Sequence, residues 1–248
     1  MPLYKFVPTP EIAQQVARGV FRFYELTKYI KMEEETGRSD PSEGSMTFTD
    51  GEIRNSSEAL PRASFNGIEF SCSKISPDED YLSQYFVFCV STQKSEIAIE
   101  GCKYSVELNT DMFDVFEMLL PTPTAPSGNH DGLKFFSHAP VEYYDVNNHP
   151  ARMDGEVWKE AYIKRREFSY QCEYRAALFM SDQFFAKAGS RTLVYRAPAR
   201  DSSGNLLDLK LLIQSGIDEA GWRFLELDIS EFQSTILTEP PEFETLID

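Results

Sequence analysis

Apolar and polar positions alternate with a period of two along several short stretches of this chain, and Phe and Tyr are concentrated in them. Val20-Phe21-Arg22-Phe23-Tyr24-Glu25-Leu26 sets Phe21 and Phe23 against Arg22, the pattern of a strand with one apolar face. Tyr85-Phe86-Val87-Phe88-Cys89-Val90 is apolar on both faces and predicts a central strand ending at Ser91-Thr92-Gln93. A long apolar run from Phe168 to Met180 predicts another, and further strands are expected at Val141–Tyr144, Thr192–Tyr195, Leu206–Ile213 and Trp222–Ile229. Helical spacing is rarer. Ile12, Val16 and Ala17 mark a short amphipathic helix, with Thr9 as N-cap, Pro10 at its first position and Arg18-Gly19 as its stop. Asp111–Leu120 and Trp158–Arg166 are the other helical segments expected.

Turn chemistry divides these elements. Glu33 to Ser45 reads as a polar loop and a candidate lid after Arg22, with Asp40-Pro41 and Glu43-Gly44 as breaks. Asn66-Gly67 is a candidate hairpin turn. The Pro-rich run 121–128 is the strongest linker or lid candidate. From Glu231 onward the chain is acidic, contains Pro240-Pro241 and is expected to fray. The pattern predicts one α+β domain over residues 1–230, a largely antiparallel split β-sheet with a few short helices around a central cleft, followed by a tail over 231–248.

Charge narrows the functions such a domain can serve. The 248 residues carry 24 Lys and Arg against 40 Asp and Glu, a formal net charge of −16. A protein that coats nucleic acid needs a cationic face, so bulk phosphate neutralisation is excluded. Two routes to nucleic acid stay open: a local basic patch, for which Lys164-Arg165-Arg166 is the candidate, and mimicry of nucleic acid by the acidic surface itself. The run Lys164-Arg165-Arg166 equally suits the C-terminal flank of a helix. Met1 to Pro10 lacks the pattern of a secretion leader, and no apolar run approaches the ~20 residues needed to span a bilayer, so a cytoplasmic protein without a membrane partner is expected.

The chemistry-bearing residues then fall into a small set. Cys72, Cys89, Cys102 and Cys172 are scattered with no ligand spacing and read as reduced thiols. His130, His138 and His149 share one loop-rich window but fit no metal-ligand pattern, so no metal is expected. The phosphate-loop, dinucleotide-fold and serine-hydrolase signatures are missing. What survives is Arg22 on an early strand, Ser91-Thr92 at the exit of a buried strand, and Gln171-x-Glu173 on a later one. Arg22 could pair a ligand phosphate, and Ser91 could fix a sugar or ring amide. Gln171 and Glu173, two apart on one strand, would share a face.

In that order, these residues resemble the Arg-Ser-Glu class of ADP-ribosyltransferases, over the span from about residue 18 to 180. The resemblance implies an antiparallel split sheet that binds NAD in a central cleft. It also implies that Arg22 contacts the NAD phosphates, that Ser91 and Thr92 support the nicotinamide-ribose pocket, that Glu173 is catalytic and that Gln171 serves the acceptor. Gln93 departs from the family's Ser or Thr at the third position of its motif, and a long polar insertion separates Arg22 from Ser91. The aromatic Arg22-Phe23-Tyr24, the loop Arg38 to Gly44 and Glu173-Tyr174-Arg175 also resemble bacterial proteins of toxin and phage-defence type. The implied function is NAD-dependent transfer of ADP-ribose to a macromolecular acceptor, protein or nucleic acid. The rival reading is a non-catalytic acidic protein that inhibits a partner by charge mimicry. In that case Arg22 would be a cation–π or surface partner, and Gln171, Glu173 and Arg175 a solvated strand face.

Overall fold

The computed structural model describes residues 2–36, 46–47, 63–65, 68–70, 74–75, 82–94, 101–109, 111–123, 132–145, 161–185, 191–200, 206–229 and 243–245. The chain opens with β1 (Pro2–Val7), α1 (Pro10–Ala17) and β2 (Val20–Glu25). The Thr9 hydroxyl accepts from the Ile12 amide at 3.4 Å, and Gly19, at φ 87°, makes the turn that lets β2 begin at once. Next come α2 (Leu26–Thr36), β3 (Met46–Thr47), β4 (Ala63–Phe65), β5 (Ile68–Phe70) and β6 (Lys74–Ile75). β3 pairs with β6, and β4 with β5 through Phe65 and Ile68; the Asn66-Gly67 turn between them lies outside the described residues. The middle of the chain supplies β7 (Tyr85–Ser91), β8 (Tyr104–Asn109), α3 (Asp111–Leu119), β9 (Leu133–Pro140), β10 (Glu142–Tyr144) and β11 (Ile163–Arg165). After a 3-10 turn (Arg166–Gln171) the chain continues with β12 (Glu173–Met180), α4 (Asp182–Phe185), β13 (Thr192–Arg200), β14 (Leu206–Ile217), β15 (Arg223–Asp228) and β16 (Phe243–Thr245).

Ten of these strands form one antiparallel sheet, in the order β13-β14-β15-β2-β7-β1-β8-β16, with β12 on the far side of β7 and β9 beyond it. The fold is α+β, a mostly antiparallel sheet with a few short helices. The sheet forks at β7. Its first half pairs with β2 (Tyr24 with Val87, Glu25 with Phe86), whereas its end pairs with β1 (Tyr4 with Ser91). Cys89 lies between those two pairings, and its carbonyl accepts instead from Lys5 Nζ at 2.8 Å, which satisfies a backbone group the fork would otherwise strand. The Lys5 ammonium also lies 4.5 Å from the centre of the Phe88 ring, and burial lowers its pKa below the usual lysine value.

Period-two alternation sends the side chains of β7 and β12 into two separate cores. On one face Phe21, Phe23, Phe86, Phe88, Val90 and Leu178 pack with α1 and with Met112, Phe113 and Phe116 of α3. Edge-to-face contacts of Phe21 with Phe88 (5.5 Å) and Phe116 (5.9 Å) fix this layer. On the other face Tyr85, Val87, Ala177 and Phe179 pack with Leu26 of α2 and with Ala161 and Tyr162.

Several expectations need correction. Phe168–Met180 is not one strand: a 3-10 turn ends at Gln171, and Cys172 adopts the left-handed conformation (φ 44°) before β12 starts at Glu173. Gln171 and Glu173 therefore do not share a strand face. The described end of the segment 158–166, expected as a helix, contains the extended strand β11, which runs parallel to β10. His138 belongs to no loop; it sits in β9, opposite Ala176, while His130 and His149 lie outside the described residues. The loop expected from Glu33 is helical through Thr36, because α2 follows β2 without a break; residues 37–45 lie outside the described set. Most of the Pro-rich run, 124–128, lies outside it too. Within the segment expected to fray, Phe243–Thr245 pairs with β8 at the sheet edge.

Candidate functional site

Glu173 opens β12 and Ser91 closes β7, and the two are direct cross-strand partners. The 3-10 turn brings Gln171 and Cys172 alongside. The Ser91 hydroxyl donates to the Gln171 carbonyl at 3.0 Å and accepts from the Gln93 amide at 3.2 Å. Thr92 donates to the Cys172 carbonyl twice, from its amide at 2.8 Å and its hydroxyl at 3.1 Å. The left-handed Cys172 is the only non-glycine with positive φ among the described residues, and these bonds hold it there. Ser91, Thr92, Gln171 and Glu173 thus meet in one place although 80 residues separate the two halves. The hydroxyls of Ser91 and Thr92 bind backbone here, so they shape the turn that presents Glu173. The Gln171 side chain is half-buried and reaches the Tyr170 hydroxyl at 3.5 Å.

Glu173 itself is buried at 8% exposure, and its carboxylate is the centre of a charge cluster. Arg175, two residues on and so on the same face, grips it in a fork: Nε to Oε1 at 2.7 Å and Nη2 to Oε2 at 3.1 Å. Lys164 Nζ of β11 stands 3.7 Å from Oε2. The Glu173 backbone is also engaged, its amide donating to the Tyr143 hydroxyl at 2.8 Å and its carbonyl accepting from the Val141 amide at 2.9 Å. Burial alone would raise the Glu173 pKa; the charges of Arg175 and Lys164 and hydrogen bonds from Arg175 and Cys89 outweigh it and hold the pKa at about 2. Burial pushes the neighbouring Tyr143 phenol up to about 12 and the Cys89 thiol well above its ordinary range. At neutral pH the site therefore holds one ionised carboxylate beside protonated phenol and thiol groups.

Compared with protein-family models, characterised proteins and solved structures, the chain matches none.

Arg22 is placed differently from the other site candidates. It lies on the same sheet face as Tyr24, which is paired with Val87, and so on the face that carries Glu173 and Arg175. Its guanidinium, however, turns to the β15 side of the fork. It bonds Glu226 at 2.8 Å and lies 4.3 Å over the Phe224 ring. With 41% of its side chain exposed, the Arg22 side of that pair is screened by solvent. The basic run is not a free patch: Lys164 meets Glu173, Arg165 meets Glu167 at 2.6 Å and Arg166 meets Asp145 at 3.2 Å.

Lys164 and Tyr143 were not among the expected site residues. Lys164 is hidden in sequence because it looks like part of a surface cationic run, yet it is 1% exposed. Cys89, Cys102 and Cys172 carry free thiols. Among the described residues no group of three or more His, Cys, Asp or Glu could hold a metal ion, and no helix is long and apolar enough to cross a membrane.

Proposed function

We propose that this chain is an NAD-dependent ADP-ribosyltransferase, acting on a macromolecular acceptor, protein or nucleic acid, in a bacterial or phage conflict system. One observation carries the reading: a buried, fully ionised carboxylate, Glu173, stands at the meeting point of the Ser91-Thr92 strand exit and the Gln171 turn. Breaking the nicotinamide–ribose bond sends the bonding pair to nicotinamide and leaves positive charge developing on the ribose. A carboxylate held ionised beside that centre helps mainly in the transition state. In this reading Arg22 exchanges Glu226 for NAD phosphate, and Gln171 serves the acceptor. The charge-mimicry reading draws on the net charge of −16 and on the internally neutralised basic run.

A nicotinamide-release assay separates the two, with purified protein and cell lysate as acceptor. Glu173→Gln should lower NAD turnover by about 100-fold or more with little change in NAD affinity. Arg22→Ala should weaken NAD binding, and Gln171→Ala should reduce transfer more than hydrolysis. Wild-type protein that releases no nicotinamide with any acceptor, or Glu173→Gln at full activity, ends the transferase reading in favour of the acidic binder.

A further inference from the structure

The backbone bonds of Glu173, at the start of β12, do not control the direction in which its side chain carries the carboxylate. A single ionised carboxylate on three rotatable bonds loses most of its value to a reacting centre unless something fixes it. Arg175 does this with both of its edges. Nε and Nη2 bind the two carboxylate oxygens, while Nη1 donates to the Ala161 carbonyl at 2.7 Å. Ala161 precedes β11, so the guanidinium bridges the carboxylate and the segment that delivers Lys164. Arg175 is itself 1% exposed and sits opposite Cys89 on β7 and Ala139 on β9, walled in on both sides of its strand. A surface Arg would sample many rotamers; this one is held in a single geometry at both ends.

From this geometry we infer that Arg175 is a positioning residue that fixes where the Glu173 carboxylate points, so that the two residues work as one unit. The inference rests on the reading of Glu173 as the group that meets the reacting ribose. Its chemistry is specific to a fork: a lysine can replace the charge but not the second parallel hydrogen bond.

The test uses the full chain with wild type, Arg175→Lys, Arg175→Met and Glu173→Gln, checked for native fold by circular dichroism. Two readouts are taken: nicotinamide release from pH 4 to 8, and titration of the Glu173 carboxyl by carbon NMR in glutamate-labelled protein, assigned by its loss in Glu173→Gln. Arg175→Met should fall by about 100-fold at pH 7. Arg175→Lys should keep activity within about 10-fold, with its Glu173 titration moved to higher pH. Folded Arg175→Met at full activity, or an Arg175→Lys titration that does not move, overturns the inference. If Arg175→Met does not fold, Arg175→Lys decides alone. If wild type releases no nicotinamide, the transferase reading fails by itself. The NMR titration then judges the pair: movement in Arg175→Lys supports the positioning role, and an unchanged titration refutes it.

Discussion

Glu173→Gln should reveal how strongly the fold leans on one buried carboxylate and its two cationic partners. The substitution keeps shape but leaves Arg175 and Lys164 facing a neutral amide in a buried site. The size of the effect follows from the carboxyl's titration. Its pKa moves from an ordinary 4.5 to about 2 on folding, which at roughly 1.4 kcal/mol per pH unit is about 3 kcal/mol. That matches the scale of about 3–5 kcal/mol seen when one partner of a buried pair is removed. The sign is fixed by the direction of the change: a folded-state pKa below the unfolded one stabilises fully above pH 4.5, and the contribution is lost as pH falls towards 2. Urea denaturation followed by circular dichroism at pH 7, 5, 4 and 3 should therefore give a wild-type advantage of about 3 kcal/mol at the first two, falling to about half by pH 3. The change in overall charge repulsion with pH is shared by both proteins and largely cancels. A gap below about 1 kcal/mol at pH 7, or one that does not narrow with acid, refutes the reasoning.

Two further outcomes follow from the packing. Gly132 has φ +102°, and a Cβ there would lie 2.6 Å from Cβ and 3.1 Å from Cα of Phe184. Gly132→Ala should cost about 2 kcal/mol or more by denaturant titration, and a neutral result would show that α4 shifts freely. Burial lowers the His138 pKa below 6.5 despite Glu117 and Asp114 at 3.4 and 3.6 Å, so its contribution to stability is present above pH 6.5 and lost as pH falls. The Tm advantage of wild type over His138→Gln should accordingly shrink between pH 7.5 and 5, and a widening gap would mean that the protonated ring is the better-held form.

Strands whose burial is purely apolar were readable from the sequence. β7 up to Val90 and the Ala176–Met180 part of β12 show as apolar runs, and β13, β14 and β15 as alternating ones. What escaped were elements built on buried polar groups. β1 carries Lys5, which looks like a solvent residue but serves the fork. β9 contains Ser137 and His138, whose partners Tyr162 (2.7 Å) and Tyr174 (2.6 Å) exist only once distant segments meet. α2 lacks a start signal because it continues directly from β2. Ser91 and Glu173 were named in sequence and meet in the cluster, Arg22 turns instead to Glu226, and Arg175 was visible two positions beyond Glu173. The Gln171–Glu173 relation was misread because a cysteine at φ 44° leaves no glycine or asparagine to announce the break.

The fork at β7 also governs the order in which the chain can assemble. This strand takes partners near residues 4, 24 and 174, and β2 finds its other neighbour only at Phe224–Asp228. Loop closure over such separations must precede any gain from pairing, which slows folding and prolongs exposure of unpaired edges. During synthesis, β1 and β2 emerge before β15 and must wait for it before the branch that holds Arg22 can close. The apolar face of β2, Phe21 and Phe23, stays without that neighbour until the intervening chain is made, which leaves a ribosome-associated chaperone an opportunity to bind there.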